Sequence, residues 1–188
     1  GAKHNILIKD APTLEGVSKI QAIVLDKTGT LTQGKPKVTD VVSVNGFKEN
    51  EILAFAGAAE AKSSHPLSKT VLEELVKRKI KLSTKVENFK NIAGHGVEAK
   101  ISGRKVLVGT AKLMNDRKIS LESVQKEAGR LLDEGKTIMI LAIDGKVAGV
   151  IGAEDQIKEN AKQAIEKMKN LGLEVAMITG DNKKTAEA

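Results

Sequence analysis

The sequence predicts an α/β protein in which a parallel-sheet domain is interrupted by an inserted α+β domain built on an antiparallel sheet. Three observations carry this expectation. A short apolar run, Ala22-Ile-Val-Leu25, leads at once into Asp26-Lys-Thr-Gly-Thr30, as a strand buried on both faces of a parallel sheet would. Toward the other end, Ile157, Ala161, Ala164, Ile165, Met168 and Leu171 recur at helical spacing. Gly172 suits the position just past that helix, and Leu173 to Ile178 supplies a second buried-type strand. Between the two, about Lys37 to Ala148, short strands and amphipathic helices alternate with tight-turn signals.

Each element of the middle region follows from its own pattern. Val38 to Val44 is rich in β-branched residues. Glu49 to Ala61 and Pro66 to Lys79 have helical periodicity, with Leu67, Val71, Leu72, Leu75 and Val76 expected on one face. Val86–Lys90, Gly96–Ile101 and Lys105–Gly109 read as strands, and Leu121 to Glu134 as a helix carrying Leu121, Val124, Ala128, Leu131 and Leu132. Thr137–Ile143 and Lys146–Ile151 flank Asp144-Gly145, a dipeptide that suits a primed hairpin turn. The expected junctions are Gln33-Gly-Lys-Pro36 and the stretch from Gly149 to Asp155. The resulting division gives residues 1–35 and 150–188 to the first domain and 36–149 to the insert. Lys183 to Ala188 reads as the opening of a further helix.

Composition narrows the possible chemistry. The 188 residues hold 31 Lys and Arg against 24 Asp and Glu, a net charge of +7, with 40% hydrophobic and 29% charged residues. This is globular rather than disordered composition. The absence of cysteine excludes disulfides, thiolate zinc sites and a thiol nucleophile within the chain. The basic residues are interspersed with acids, and three Phe are the sole aromatics. The charge therefore reads as a solvated surface, and no nucleic-acid partner is expected. No run approaches the ~18 apolar residues that span a bilayer, the longest being Thr137–Ile143. The opening Gly1-Ala-Lys-His-Asn5 lacks a signal-peptide layout.

Asp26-Lys27-Thr28-Gly29-Thr30-Leu31-Thr32 is the strongest chemical signal. A carboxylate at a strand end can attack a phosphoryl group while hydroxyls and backbone N–H groups of a Thr/Gly turn hold its oxygens. The same residues also suit a plain Asx or ST turn closing a strand. If the strands ending at Asp26 and Ile178 lie parallel in one sheet, Asp26 and Thr179-Gly180-Asp181 meet at the edge where open α/β sheets bind ligands. Ser64-His65-Pro66-Leu67 is the second distinctive element, with Pro66 suited to a first helical position. Gly94-His95-Gly96 is the third. It is no dinucleotide fingerprint, since Ala99 stands where a third glycine belongs and a strand follows. Gly135-Lys136-Thr137 is not a P-loop ending, because Arg130 occupies the place of the required glycine and a helix precedes it. His95 and His4 read as an exposed loop residue and a linker residue.

Asp26–Thr30 resembles the phosphorylation motif of P-type ATPases, membrane pumps that pass through an aspartyl-phosphate. The resemblance extends over essentially the whole chain. Thr179-Gly180-Asp181 is similar to that family's second phosphorylation-domain motif. Asp155 stands where members carry an Asp usually followed by Pro, here replaced by Gln156. His65-Pro66 and Gly94-His95-Gly96 resemble the nucleotide-domain motifs of the heavy-metal-transporting subgroup, with Ser64 where many members have Glu.

The resemblance implies a Rossmann-like, haloacid dehalogenase-like phosphorylation domain interrupted by a nucleotide-binding domain. It implies Asp26 as nucleophile, with Lys27, Thr28, Thr179, Gly180 and Asp181 around the phosphoryl group. ATP and Mg2+ are the implied cofactors, the metal held by Asp26 and Thr28. In the insert, Glu60, His65, Gly94, Gly96 and Gly109 are implied to bind adenine nucleotide. The implied setting is the cytosolic side of a membrane, with transmembrane and actuator domains of the same polypeptide as partners and copper as the first-choice cargo. The chain itself is expected to be monomeric. Family members place a further acidic motif beyond the position of residue 188, so the chain is expected to bind nucleotide and to hydrolyse ATP poorly. The rival reading is a dehalogenase-like phosphatase acting on small phosphoesters. Thr28 argues against it, because such enzymes usually place a proton-shuttling Asp two residues after the nucleophile.

Overall fold

The computed structural model describes residues 7–63, 66–82 and 85–178. These form two compact units, one of residues up to Gly34 and from Ile157 onward, the other of Lys35–Gln156.

In the first unit, β1 (Ala22–Asp26) pairs in parallel with β8 (Glu174–Ile178), Asp26 facing Ile178. The expected parallel pairing is therefore present, and the last described residue of β8 directly precedes Thr179. Helix α6 (Ala161–Asn170) leads into β8. Ala161, Ala164, Ile165 and Met168 are its buried or half-buried stripe. Ile157 and Leu171, expected on the same stripe, are instead exposed. Ile157 belongs to the end of a strand, and Leu171 lies past the last full helical turn. Gly172 follows in the left-handed region at φ +80°, as the position after a helix end prefers. Helix α1 (Ala11–Val17) was not expected from the apolar pattern. Its signal is polar: the Asp10 side chain accepts from the Thr13 N–H, and Pro12 sits in the first turn.

The second unit is built on a six-stranded sheet in the order β2 (Thr32–Ser43), β7 (Lys146–Ile157), β6 (Thr137–Ile143), β5 (Arg104–Gly109), β4 (Gly96–Ile101), β3 (Val86–Ile92). The pairs from β3 through β7 are antiparallel. Helices α2 (Glu49–Glu60) and α3 (Pro66–Lys77) contribute to one core with Val106, Val108, Leu141 and Ile143. The alternate residues Leu107, Ile140 and Ala142 join a second core with α4 (Ala111–Asp116) and α5 (Gln125–Asp133). The strands thus read apolar on both faces because both faces are covered. Helices α2 and α3 pack so tightly that a Cβ on Gly57 would stand 2.1 Å from Leu75 Cδ1. Leu67, Val71 and Leu75 are buried, whereas Val76 is 78% exposed. Five residues beyond Val71, it has rotated about 140° away from the core-facing direction.

Asp144 and Gly145 both have positive φ, 49° and 81°, as the primed turn between β6 and β7 demands. The Asp144 carboxylate takes the Arg104 Nε–H at 2.8 Å and the Lys105 backbone N–H at 2.9 Å. Arg104 in turn lies over the rings of Phe47 and Phe55. Strand β7 runs through the stretch expected to be a junction. There the Asp155 carboxylate accepts the Lys35 N–H at 3.0 Å, and Gln156 Oε1 accepts from Lys37 Nζ at 2.7 Å. Helix α4 was also missed in the sequence; its signal is Thr110, whose side chain accepts the Leu113 N–H.

Candidate functional site

Two sites emerge, one in each unit. The first is the loop after β1. Asp26 is exposed at the strand's C-terminal end, and Thr28 (φ −77°, ψ 119°) and Gly29 (φ 78°, ψ −13°) form a type II turn. That turn needs a glycine at its second central position. Thr32, 2% exposed, staples the loop: its Oγ1 accepts the Gly29 N–H and donates to the Lys27 carbonyl, both at 3.1 Å. Lys158 grips the other side, donating from Nζ to the Gly29 carbonyl at 2.7 Å and from its backbone N–H to Leu31 at 2.9 Å. The result is a carboxylate presented to solvent beside a turn whose backbone is held from two directions. Thr32 and Lys158 carry this geometry, yet neither was assigned a role from sequence. The lysine's contact spans 129 positions and leaves no local signal.

The metal implied at this loop fits its donor set. The Asp26 carboxylate and the Thr28 oxygens are hard ligands of the kind magnesium takes. Among the described residues, no cluster of three or more His, Cys, Asp or Glu side chains could hold a metal alone. Phosphoryl oxygens and water would complete such a shell. Thr179, Gly180 and Asp181 lie outside the described residues.

The second site is a cavity of about 460 Å³ within the insert. It brings together Glu60, Gly94, Gly96 and Gly109, singled out on three separate segments of the sequence. His65 lies outside the described residues. Gly96 and Gly109 face each other across the β4–β5 pair. A Cβ on Gly96 would stand 2.1 Å from the Val108 carbonyl oxygen, and one on Gly109 2.1 Å from that of His95. Only bare backbone permits this approach. Glu60, the last residue of α2, is 2% exposed, and its Oε2 accepts from the hydroxyl of Ser68, 5% exposed, in the first turn of α3. The carboxylate thus lies between the C-terminal end of α2, whose dipole opposes an anion, and the first turn of α3, whose dipole and Ser68 hydroxyl favour one.

Polar residues not foreseen at the wall are Ser63, Asn91, Thr110 and Thr137, while Leu67, Ile92, Val97, Ile138 and Met139 supply apolar surface. His95, read from sequence as exposed, is half-buried and lines the cavity. The strand start at Thr137 is fixed by its neighbour Lys136, which donates from Nζ to Asp40 at 2.6 Å and also pairs with Glu134. Burial alone would raise the Asp40 carboxyl. The hydrogen bonds from Lys136 and Thr39 and the Lys136 and Arg130 charges outweigh it and hold Asp40 below its ordinary value. Lys136 is pushed up, first by its bond to Asp40 and then by Glu134.

A parallel strand pair with an aspartate at its C-terminal edge, interrupted by a large insert, defines a class, and the sequence agrees. The profile of the haloacid dehalogenase-like hydrolases matches residues 20–188, and the chain belongs to that family. Within it, the whole chain aligns with the copper-exporting P-type ATPase of Bacillus subtilis (strain 168), 40% identical over 187 residues. It is 43% identical over 189 residues to the probable copper-exporting P-type ATPase of Archaeoglobus fulgidus. In each case the chain spans 23% of the relative's length. Among solved structures, a zinc-transporting PIB-type ATPase in its E2.Pi state matches with a TM-score of 0.85 at 31% identity. That match covers all of this chain and 30% of the other. The catalytic domain of the CPx-ATPase CopB-B, studied for its conformational changes upon nucleotide binding, matches with a TM-score of 0.71 at 29% identity. It covers 96% of this chain and 62% of the other. Among the described residues, no helix is long and apolar enough to cross a membrane.

Proposed function

We propose that the chain is the nucleotide-binding and phosphoryl-accepting part of a heavy-metal-transporting P-type ATPase, and that copper is the cargo of the parent polypeptide. The observation that carries the reading is Asp26, an exposed carboxylate at the C-terminal end of a parallel strand, beside a turn held by Thr32 and Lys158. A carboxylate oxygen of Asp26 attacks the γ-phosphorus of ATP in line. The bond from that phosphorus to the β,γ-bridging oxygen breaks, ADP leaves with the electron pair, and an aspartyl-phosphate remains. Lys27, Thr28, Thr179, Gly180 and Asp181 are assigned to positioning the phosphoryl group. When bound, magnesium screens the charge between phosphoryl and carboxylate oxygens.

The insert supplies the nucleotide. Glu60, with Oε2 engaged by Ser68, offers its other oxygen to an adenine amino group, and Gly94, Gly96 and Gly109 let the ligand approach bare backbone. His65 is assigned to the same pocket. Copper as cargo rests on the names of the relatives at 40% and 43% identity, a copper-exporting and a probable copper-exporting P-type ATPase. No described feature favours the phosphatase reading, and the Thr28 hydroxyl, two residues after Asp26, does not exchange its proton readily enough near neutral pH to act as the general acid and base.

Calorimetric titration of the chain with ATP tests the pocket. Saturable one-to-one binding that weakens in Glu60→Gln is expected. Absence of binding in a folded chain would remove the nucleotide role.

A further inference from the structure

We propose that His95 is the cavity's contact to the phosphate tail of the bound nucleotide, and so favours phosphorylated ligands over the bare nucleoside. This rests on reading the cavity as a nucleotide pocket. The imidazole is held in place: its Nδ1 lies 2.8 Å from the Ala93 carbonyl oxygen. A carbonyl can only accept, so Nδ1 carries the hydrogen, and Nε2 is the ring position open to a ligand. Gly94 (φ 70°) and Gly96 (φ 139°) bracket the residue and turn the backbone sharply at this point.

Charge distribution decides which part of the ligand Nε2 meets. Among the described residues lining the cavity there is no lysine or arginine. Helix α2 brings Glu60, the one carboxylate of the wall. The lining residues of β3, β5 and β6, and Thr110 ahead of α4, are uncharged. His95 is therefore the one described side chain of the wall able to carry positive charge. Glu60 is buried, and its anion repels phosphates while accepting from an amino donor. Near His95 the wall opens: Ala93, Gly94 and Thr110 are all exposed. A nucleotide enters base first toward Glu60 and leaves its phosphates at this hydrated rim. With Nδ1 donating to the Ala93 carbonyl, the charged ring presents its Nε2–H as the donor to a phosphate oxygen at this rim.

Calorimetric titration of the chain and its His95→Ala and His95→Lys variants with adenosine, ADP and ATP tests this, with thermal melts to verify folding. Loss of His95 should weaken ADP and ATP about fivefold, the size of one modest hydrogen bond, and adenosine less than twofold. His95→Lys should restore ATP affinity. Equal weakening of adenosine and ATP, unchanged ATP affinity in His95→Ala, or no recovery in a folded His95→Lys would each overturn the assignment. If the unmodified chain binds none of the three ligands, the pocket reading itself fails. If it binds ATP and His95→Ala binds equally well, only the role of His95 falls.

Discussion

Replacing Gly96 by alanine probes the paired-glycine geometry more sharply than any other single change. The new Cβ would stand 2.1 Å from the Val108 carbonyl oxygen and 2.6 Å from Gly109 Cα, both backbone atoms of the neighbouring strand. Neither can rotate away, so β4 and β5 must separate by roughly 1 Å where close packing leaves no slack. Gly96 also has φ +139°, which an L side chain rarely adopts. Strained backbone costs about 1–3 kcal/mol, and overpacking a similar amount, giving about 2–6 kcal/mol together. Gly103 is the control: its φ is +85°, but nothing lies within 4 Å of a Cβ built there. Gly103→Ala should therefore cost only the conformational part, about 1–2 kcal/mol. Urea denaturation of both variants and the parent chain, followed by circular dichroism, measures the difference. If Gly96→Ala unfolds at the same urea concentration as Gly103→Ala, the close approach of β4 and β5 is wrong.

Three other outcomes follow from the same geometry. Thr32→Val removes both hydrogen bonds to the Asp26 loop and should destabilise the first unit by about 1–3 kcal/mol; amide exchange over residues 27–31 should quicken, and unchanged exchange would contradict the staple. Ser68→Ala should weaken ATP binding to the chain, and its effect should largely vanish in a Glu60→Gln background; additive losses in a double-mutant titration would show that Ser68 does not act through Glu60. In acid, the insert should lose stability. Glu74 is buried and Asp40 and Glu98 are half-buried, which by itself raises a carboxyl, yet hydrogen bonds and charges from their partners hold all three below their ordinary values. Their contribution is present above the unfolded carboxyl range, about pH 4, and is lost as pH falls through the lowered folded values. Thermal melts between pH 7 and 3 should show that decline, smaller in Asp40→Asn, and a flat profile would count against these pairs.

The elements were legible where periodicity was strong. The strand spans Gly96–Ile101 and Thr137–Ile143 agree with the structure: in the first, apolar Val97, Ala99 and Ile101 alternate with polar residues, and the second is, from Ile138, an unbroken apolar run covered on both faces. Helices α1 and α4 were not, since seven and six residues are too few to display a stripe. Their caps, Asp10 and Thr110, were the available signals. Leu171 and Val76 show the opposite failure, apolar residues counted into a stripe from which their rotation or position excludes them. Glu60, Gly94, Gly96 and Gly109 were singled out one by one, but that they share a cavity depends on sheet order and on the α2–α3 turn, which no local pattern encodes. Ser68 and Lys158 stayed hidden for the same reason, being ordinary surface-type residues until the fold sets each against its partner. Gln156 stands where a proline was expected, and a continuous strand through that position accommodates it.

The central claim is that Asp26 accepts a phosphoryl group from ATP. The most direct measurement is to incubate the parent polypeptide with magnesium and γ-labelled ATP, quench it in acid and map the label by mass spectrometry. An acid-stable, hydroxylamine-labile phosphoryl group on Asp26, absent in Asp26→Asn, is the predicted result. Label that persists in Asp26→Asn, or a parent that binds ATP yet never carries label at this residue, would contradict it.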